Sequence, residues 1–578
     1  MHDLVIRGGD VVDGTGAARQ RADVAVDGGL VTHVGVVPAE GKREIDASGL
    51  IVTPGWVDIH THYDGQATWD GDLAPSCWHG VTTVVMGNCG VGFAPARPDR
   101  HDWLIELMEG VEDIPGAALA EGIKWTWETF PQYLDALDAM PRAIDIATQV
   151  PHGSVRAYVM GERGARNEAA TPEEIAQMAA IVKEGIEAGA VGFSTSRTQL
   201  HRSKDGEPVP GTYASADELL GIGRAMGQAG HGVFEMASDM VTAKDEFAWM
   251  SAMAAETGLP VTFAMLQSPM QPDNWRELLK LTEDARRQGA NVVAQIACRP
   301  TGLVLGWQST VHPFSNRPTY AAIADLPFAQ RLEKLRDPAV RAAILADEPS
   351  SMEGLAALLF YGFDRMFRLS QDGKLDYEPT ADQSLAAQAD RLGVKADTIA
   401  YDMLMENDGR GYVYMPLLNY ALFNFDHIHD MLNHPATVLS LSDGGAHCGV
   451  ICDAGFPTYM LTHWARDRVR GPRLALEEVV KKQTHDTARL YGFNDRGVLA
   501  PGMKADINLI DFEALDILPP EMVFDLPAQG RRLIQKAKGY RATIVSGAVT
   551  FENGVATGAK PGRLVRGPQR AAGVRVAA

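Results

Sequence analysis

The sequence predicts an α/β protein: a (β/α)8 barrel that carries a small β-sandwich domain built from both chain ends. Two observations carry that expectation. Through the middle of the chain, apolar β-rich runs ending in polar or glycine residues alternate with helical stretches. At both ends, short strands are separated by tight-turn residues.

At the amino end, residues 4–7, 11–12, 23–26 and 31–34 read as strands set apart by Gly-Gly, Asp-Gly and Gly-Thr-Gly. Residues 505–510, 542–547 and 549–554 repeat that texture near the carboxyl end. Neither set is long enough to bury a sheet alone, so residues 1–54 and 498–560 are expected to combine. Between them, 55–497, strand-like runs lie at 55–60, 81–86, near 144–150, and at 190–195, 232–235, 260–263, 291–296 and 437–442. With helical patterns such as 172–179 between them, a barrel of the TIM type is the economical closure. The stretch from about 305 to 432 is longer than a crossover needs and reads as an insertion with helices of its own. Its Trp307, His312, Phe314 and Tyr320 read either as pocket lining or as the core of the insertion. The tail, 561–578, is expected to pack loosely.

Hydrophobic residues make up 46% and charged residues 22%, enough apolar surface for a large core. The net charge of −21 argues against generic binding of nucleic acid or anionic lipid, and leaves a small-molecule substrate. Five cysteines in 578 residues make no disulfide framework, and no secretory signal or spanning segment is visible. A cytoplasmic location is expected.

Catalytic residues of a barrel sit at the carboxyl ends of its strands. The first run ends Asp58-Ile59-His60-Thr61-His62, and histidines two apart on a strand project to one face, where both imidazoles reach one cation. The second ends Gly87-Asn88-Cys89-Gly90, which offers a thiolate; the eighth ends Ser442-Asp443-Gly444-Gly445, which offers a ligand or a proton carrier. Each signal has a bland alternative, respectively polar strand-end histidines, a core thiol and an aspartate opening a turn. Their agreement on one rim favours a metal site.

Together with these motifs, PGWVDIHTHYD, the late LSDGG and RGVLAPGMKADINLIDF resemble the amidohydrolase superfamily of metal-dependent hydrolases. More closely, GVTTVVMGNCGVGFAP, Pro151-His152-Gly153-Ser154, AGAVGFSTSR and PGRLVRG resemble its N-acyl-D-amino-acid deacylase branch, across nearly the whole chain. The resemblance implies Zn2+ bound by His60, His62 and Cys89, with Asp443 as acid/base toward the attacking water and a further possible ligand. It implies hydrolysis of an amide in an N-acyl amino acid or related N-acyl amine, and a possible homo-oligomer.

The chain also departs from that branch. Strand five reads Phe234-Glu235-Met236-Ala237 and strand six Phe263-Ala264-Met265-Leu266-Gln267, where the branch supplies two histidines and a lysine. Strand four has no lysine to bridge two metals. A thioether is a poor zinc ligand, so one ion is expected rather than two, with Glu235 the nearest replacement ligand. His152, Arg197, Gln267 and His447 are the candidates for substrate binding, with His201 and Arg202 beside Arg197. The missing lysine and arginine argue against a simple N-acyl-D-amino acid bound in the usual way. Two other readings stay open: a cyclic amide, imide or lactone hydrolase on the same machinery, and a degenerate barrel that binds a ligand without turnover.

Overall fold

The computed structural model describes residues 1–352, 354–371 and 374–572. Eight parallel runs follow the chain: β1 (Trp56–Asp58), β2 (Val81–Met86), β3 (Asp145–Thr148, resumed at Val150–Pro151), β4 (Gly192–Arg197), β5 (Val233–Ser238), β6 (Val261–Ala264), β7 (Val292–Ile296) and β8 (Thr437–Leu439). They pair in sequence order within two parallel sheets. The break falls at Gln149, whose side chain turns away to donate to Asn88 Oδ1 at 2.7 Å. At the other junction an isolated parallel bridge joins Thr61 to Gly444, and Asp443 N donates to the His60 carbonyl at 3.1 Å. Both faces of the runs are covered, and Val84, Val85, Phe234, Val261 and Val292 are all buried.

Helices Pro172–Ala188, Ala216–Ala229, Ala243–Thr257 and Asn274–Arg287 fill the crossovers from β3 to β7. The first shows why these residues make helices. Thr171 accepts from Glu174 N, the Glu174 side chain answers, and Pro172 occupies the first turn. Met178, Val182 and Ile186, spaced four apart, form the stripe that packs on the sheet. Gly189, at φ +124°, ends it.

The stretch between β7 and β8 has its own core, in which Trp307 stacks on Tyr320 and meets Phe314 and Tyr401. His312 packs edge-on against Trp307. The aromatic residues of the insertion are therefore its core and not a pocket. Strands from both chain ends join in one mixed nine-stranded sheet, spliced where Ile51–Pro54 runs antiparallel to Ile507–Ile510. Leu4, Ile6, Val24, Val52, Leu509 and Ile544 form its buried side.

The tail corrects the expectation of loose packing. Gly562 N bonds Arg142 O, Val565 N bonds Ile146 O and Gly567 N bonds Gly189 O, so the segment is pinned beside β3 by isolated bridges. Leu564 and Val565 are buried there, which a glycine- and arginine-rich composition conceals. Residues 573–578 lie outside the described part.

At the amino end of β3, buried Asp145 meets Arg496 at 2.7 Å and Lys504 at 3.1 Å, tying the strand to the second chain end. Burial raises the pKa of this carboxyl, but Lys504 and Arg496 outweigh burial and hold it below the usual carboxylate range. A depressed native pKa means that the stabilisation is complete above the unfolded value, about pH 4, and is lost as pH falls below it. Asp145→Ala leaves Arg496 with Asp495 and Lys504 with Asp506, and is expected to cost up to about 3 kcal/mol by denaturant titration, with this residue's share of the acid sensitivity removed.

Candidate metal centre

The ends of β1, β2 and β8 bring His60, His62, Cys89 and Asp443 together. One nitrogen of each histidine and the Cys89 sulfur lie within 4.8 Å of one another. His60 Nε2 is 3.3 Å from Cys89 Sγ and 3.5 Å from Asp443 Oδ1, and His62 Nε2 is 3.8 Å from Asp443 Oδ1. Cys89 and Asp443 reach this point from left-handed backbone, φ +55° and +48°, each followed closely by glycine. That strain is tolerated where a turn must aim one side chain at a site.

Neighbours fix the donors. His60 Nδ1–H donates to Gln295 Oε1 at 3.1 Å. Gln295 is itself oriented, donating to Thr262 Oγ1 and accepting from Ser440. The His60 Nε2 lone pair is thereby left facing Cys89 and Asp443. Burial pushes the His60 pKa down to about 4, so the imidazole is neutral, the form that ligates. Burial, then Glu235, pushes the Cys89 thiol up; a cation is what would favour the thiolate. Glu235, on β5, accepts from Cys89 N with one oxygen, and its other oxygen lies 4.0 Å from His60 Nδ1.

Glu112 was not foreseen. It ends the helix His101–Glu112 with Oε1 3.2 Å from His62 Nδ1 and Oε2 3.7 Å from His447 Nε2. Its backbone oxygen also accepts from His447 N. No local motif marks a glutamate at a helix end, and only the fold shows which imidazole it meets. Gln295 was missed for the same reason.

The other candidates separate. His447 and His201 line the cavity in front of the cluster. His152 is buried away from it, with Nδ1 on Thr195 and Nε2 on Glu218, each at 2.8 Å. Arg197 is engaged by Glu246 and by the Ala214 carbonyl. Gln267 donates to Pro272 O and accepts from Ala421 N, holding the insertion to β6. Met265, in the place of a histidine, is fully buried.

The cluster fits a divalent cation. Asp64 Oδ2, Glu112 Oε1, Glu235 Oε1 and His62 Nδ1 are buried without a well-formed hydrogen bond. Among the described residues no lysine or arginine lines the cavity. So many buried carboxylates without a cation would cost several kcal/mol. Two imidazoles, a thiol sulfur and a carboxylate form a donor set suited to Zn2+. Glu112→Gln keeps the shape at His62 but removes the charge, and is expected to weaken metal binding about 10- to 100-fold in a chelator competition.

Comparison with known proteins gives matches over most of the chain. Residues 43–551 match the profile of the Amidohydrolase family. An N-acyl-D-glutamate deacylase of Alcaligenes xylosoxydans xylosoxydans is 27% identical over 579 residues, covering 98% of this chain and 96% of that enzyme. A D-aminoacylase of the same organism is 34% identical over 229 residues, 39% of this chain and 43% of that enzyme. The structure of N-acyl-D-glutamate deacylase from Bordetella bronchiseptica, complexed with zinc and a phosphonate inhibitor, superposes with a TM-score of 0.63 at 26% identity, covering 98% of this chain and 99% of that one.

Proposed function

Because the chain belongs to the amidohydrolase family, we propose that it is a metal-dependent hydrolase cleaving the amide bond of an N-acyl amino acid or related N-acyl amine. The reading takes the eight parallel runs as one (β/α)8 barrel, with residues 1–54 and 498–560 as its small domain. The observation that carries it is the convergence of His60, His62, Cys89 and Asp443 on one face of a cavity of about 630 Å3. His60, His62 and Cys89 would hold one zinc ion, with Asp443 beside them. When bound, such an ion supplies Lewis acidity toward a carbonyl and lowers the pKa of water to about 7.

The chain's own groups then do the rest. Gln295 holds the His60 imidazole by a hydrogen bond, and the Glu112 carboxylate lies beside the His62 imidazole. Asp443, its side chain 16% exposed to the cavity, accepts the proton of the attacking water and returns it to the departing nitrogen. His201 and His447 line the same cavity and are placed to meet the substrate. The atoms balance: water adds across the C–N bond, giving a carboxylic acid and an amine.

The test is elemental analysis beside product mass spectrometry on a panel of N-acyl amines and cyclic amides. Expected are about one zinc per chain and two product fragments. A single product heavier by one water assigns ring opening instead. Metal-free protein without hydrolysis overturns the proposal in favour of a binding scaffold.

A further inference from the structure

The cavity itself narrows what the site accepts. Its wall carries the carboxylates of Glu112, Asp239 and Asp443 and, among the described residues, no lysine or arginine. The cations of the loop after β4 are committed elsewhere. Arg197 is held by Glu246 and Ala214 O, and Arg202 by the Gln199 and Gly206 carbonyls. A substrate carboxylate entering here would lose its water without gaining a cation of the protein, which is strongly unfavourable.

Away from the cluster Leu200, Met240, Val241, Leu266, Met270 and Leu418 line the wall, interleaved with Thr198, Ser238, Asp239, Ser268, Gln271 and Asn274. Three of these stay open to solvent at the mouth, Leu200 at 57%, Val241 at 78% and Met270 at 66%. Large apolar side chains gathered at the rim of a pocket mark a surface that something else covers. The cavity shares Met240, Val241, Gln271 and Asn274 with a second hollow of about 670 Å3 between residues 240–245 and 271–277. The two hollows are adjacent across this shared wall, and the second also carries Lys244, Asp245, Asp273 and Glu277.

We infer, resting on the hydrolase reading above, that the substrate is an N-acyl amine without a carboxylate, whose apolar acyl chain lies along Leu200, Met240, Val241, Leu266, Met270 and Leu418. The carboxylates of the cavity wall, with no lysine or arginine beside them among the described residues, disfavour an anionic amine portion, and the apolar side chains accommodate the chain. Val241 and Met270 set the preference for chain length, since they are the most exposed of these apolar groups.

Three probes test it: N-octanoylglycine, N-octanoylglycinamide and N-acetylglycinamide. The first two differ only in the carboxylate and the last two only in acyl length, and none carries a stereocentre. Binding to the metal-loaded protein by calorimetry and kcat/KM for hydrolysis are read side by side. N-octanoylglycinamide is expected to bind about tenfold or more tighter than N-octanoylglycine, and to exceed N-acetylglycinamide by about tenfold or more. In Val241→Glu/Met270→Glu the octanoyl-to-acetyl ratio falls toward one; both residues are exposed, so the fold tolerates the change. Equal or tighter binding of the carboxylate, or no dependence on chain length, overturns the inference. The expected binding order without hydrolysis of any probe supports the ligand class and counts against the hydrolase reading alone.

Discussion

His60→Ala and His62→Ala are each expected to release the bound metal and bring hydrolysis to background, while circular dichroism stays close to that of the parent chain and the unfolding temperature falls with the lost metal. Both imidazoles are buried and converge with Cys89 inside 4.8 Å. A mononuclear catalytic zinc commonly has three protein ligands, so the loss of one leaves too few. Loss of an outer partner of a ligand costs about 10- to 100-fold in affinity, and loss of the ligand itself must exceed that. The fold should survive, because His60 bonds only Gln295 beyond the cluster and His62 faces Glu112. With one of the three ligands gone, zinc added back to the variants is expected to bind only at high concentration. Full metal content together with full activity in both variants would sink the assignment.

The convergence of the candidate donors was legible because they lie in contiguous motifs at strand ends, where period-two alternation and glycine turns fix direction. His60-Thr61-His62 and Asn88-Cys89-Gly90 needed only a barrel-like frame to be brought together. Residues whose role depends on what crosses over them were not legible. Glu112 comes from a helix outside the strand pattern, and Gln295 points inward from β7 as an ordinary strand residue. His152 and Gln267 sit in suggestive motifs, yet the structure turns one toward Glu218 and the other toward the insertion. The tail shows the same limit: Leu564 and Val565 are too few to announce a strand, and β3 supplies the partner. The aromatic residues of the insertion gave the reverse ambiguity, since core and pocket use the same residue types, and only packing against Tyr401 decides.

Asp443→Asn separates the two roles that one carboxylate could fill. Asparagine keeps the shape and an oxygen facing His60 and His62, at 3.5 and 3.8 Å in the parent chain, but cannot accept a proton at neutral pH. If Asp443 serves chiefly as the base, the variant retains zinc and loses about 10²- to 10⁴-fold in kcat with little change in KM, the range typical of general acid–base catalysis. Cys89, His60 and His62 suffice as ligands in that case. If Asp443 serves chiefly as a ligand, zinc content falls in parallel with activity, and added zinc restores both. Metal analysis and kcat on the same preparation distinguish these outcomes. An unchanged kcat at full zinc content would remove Asp443 from the chemistry and pass the proton to another titratable group of the cavity wall, His201, His447 or Asp239.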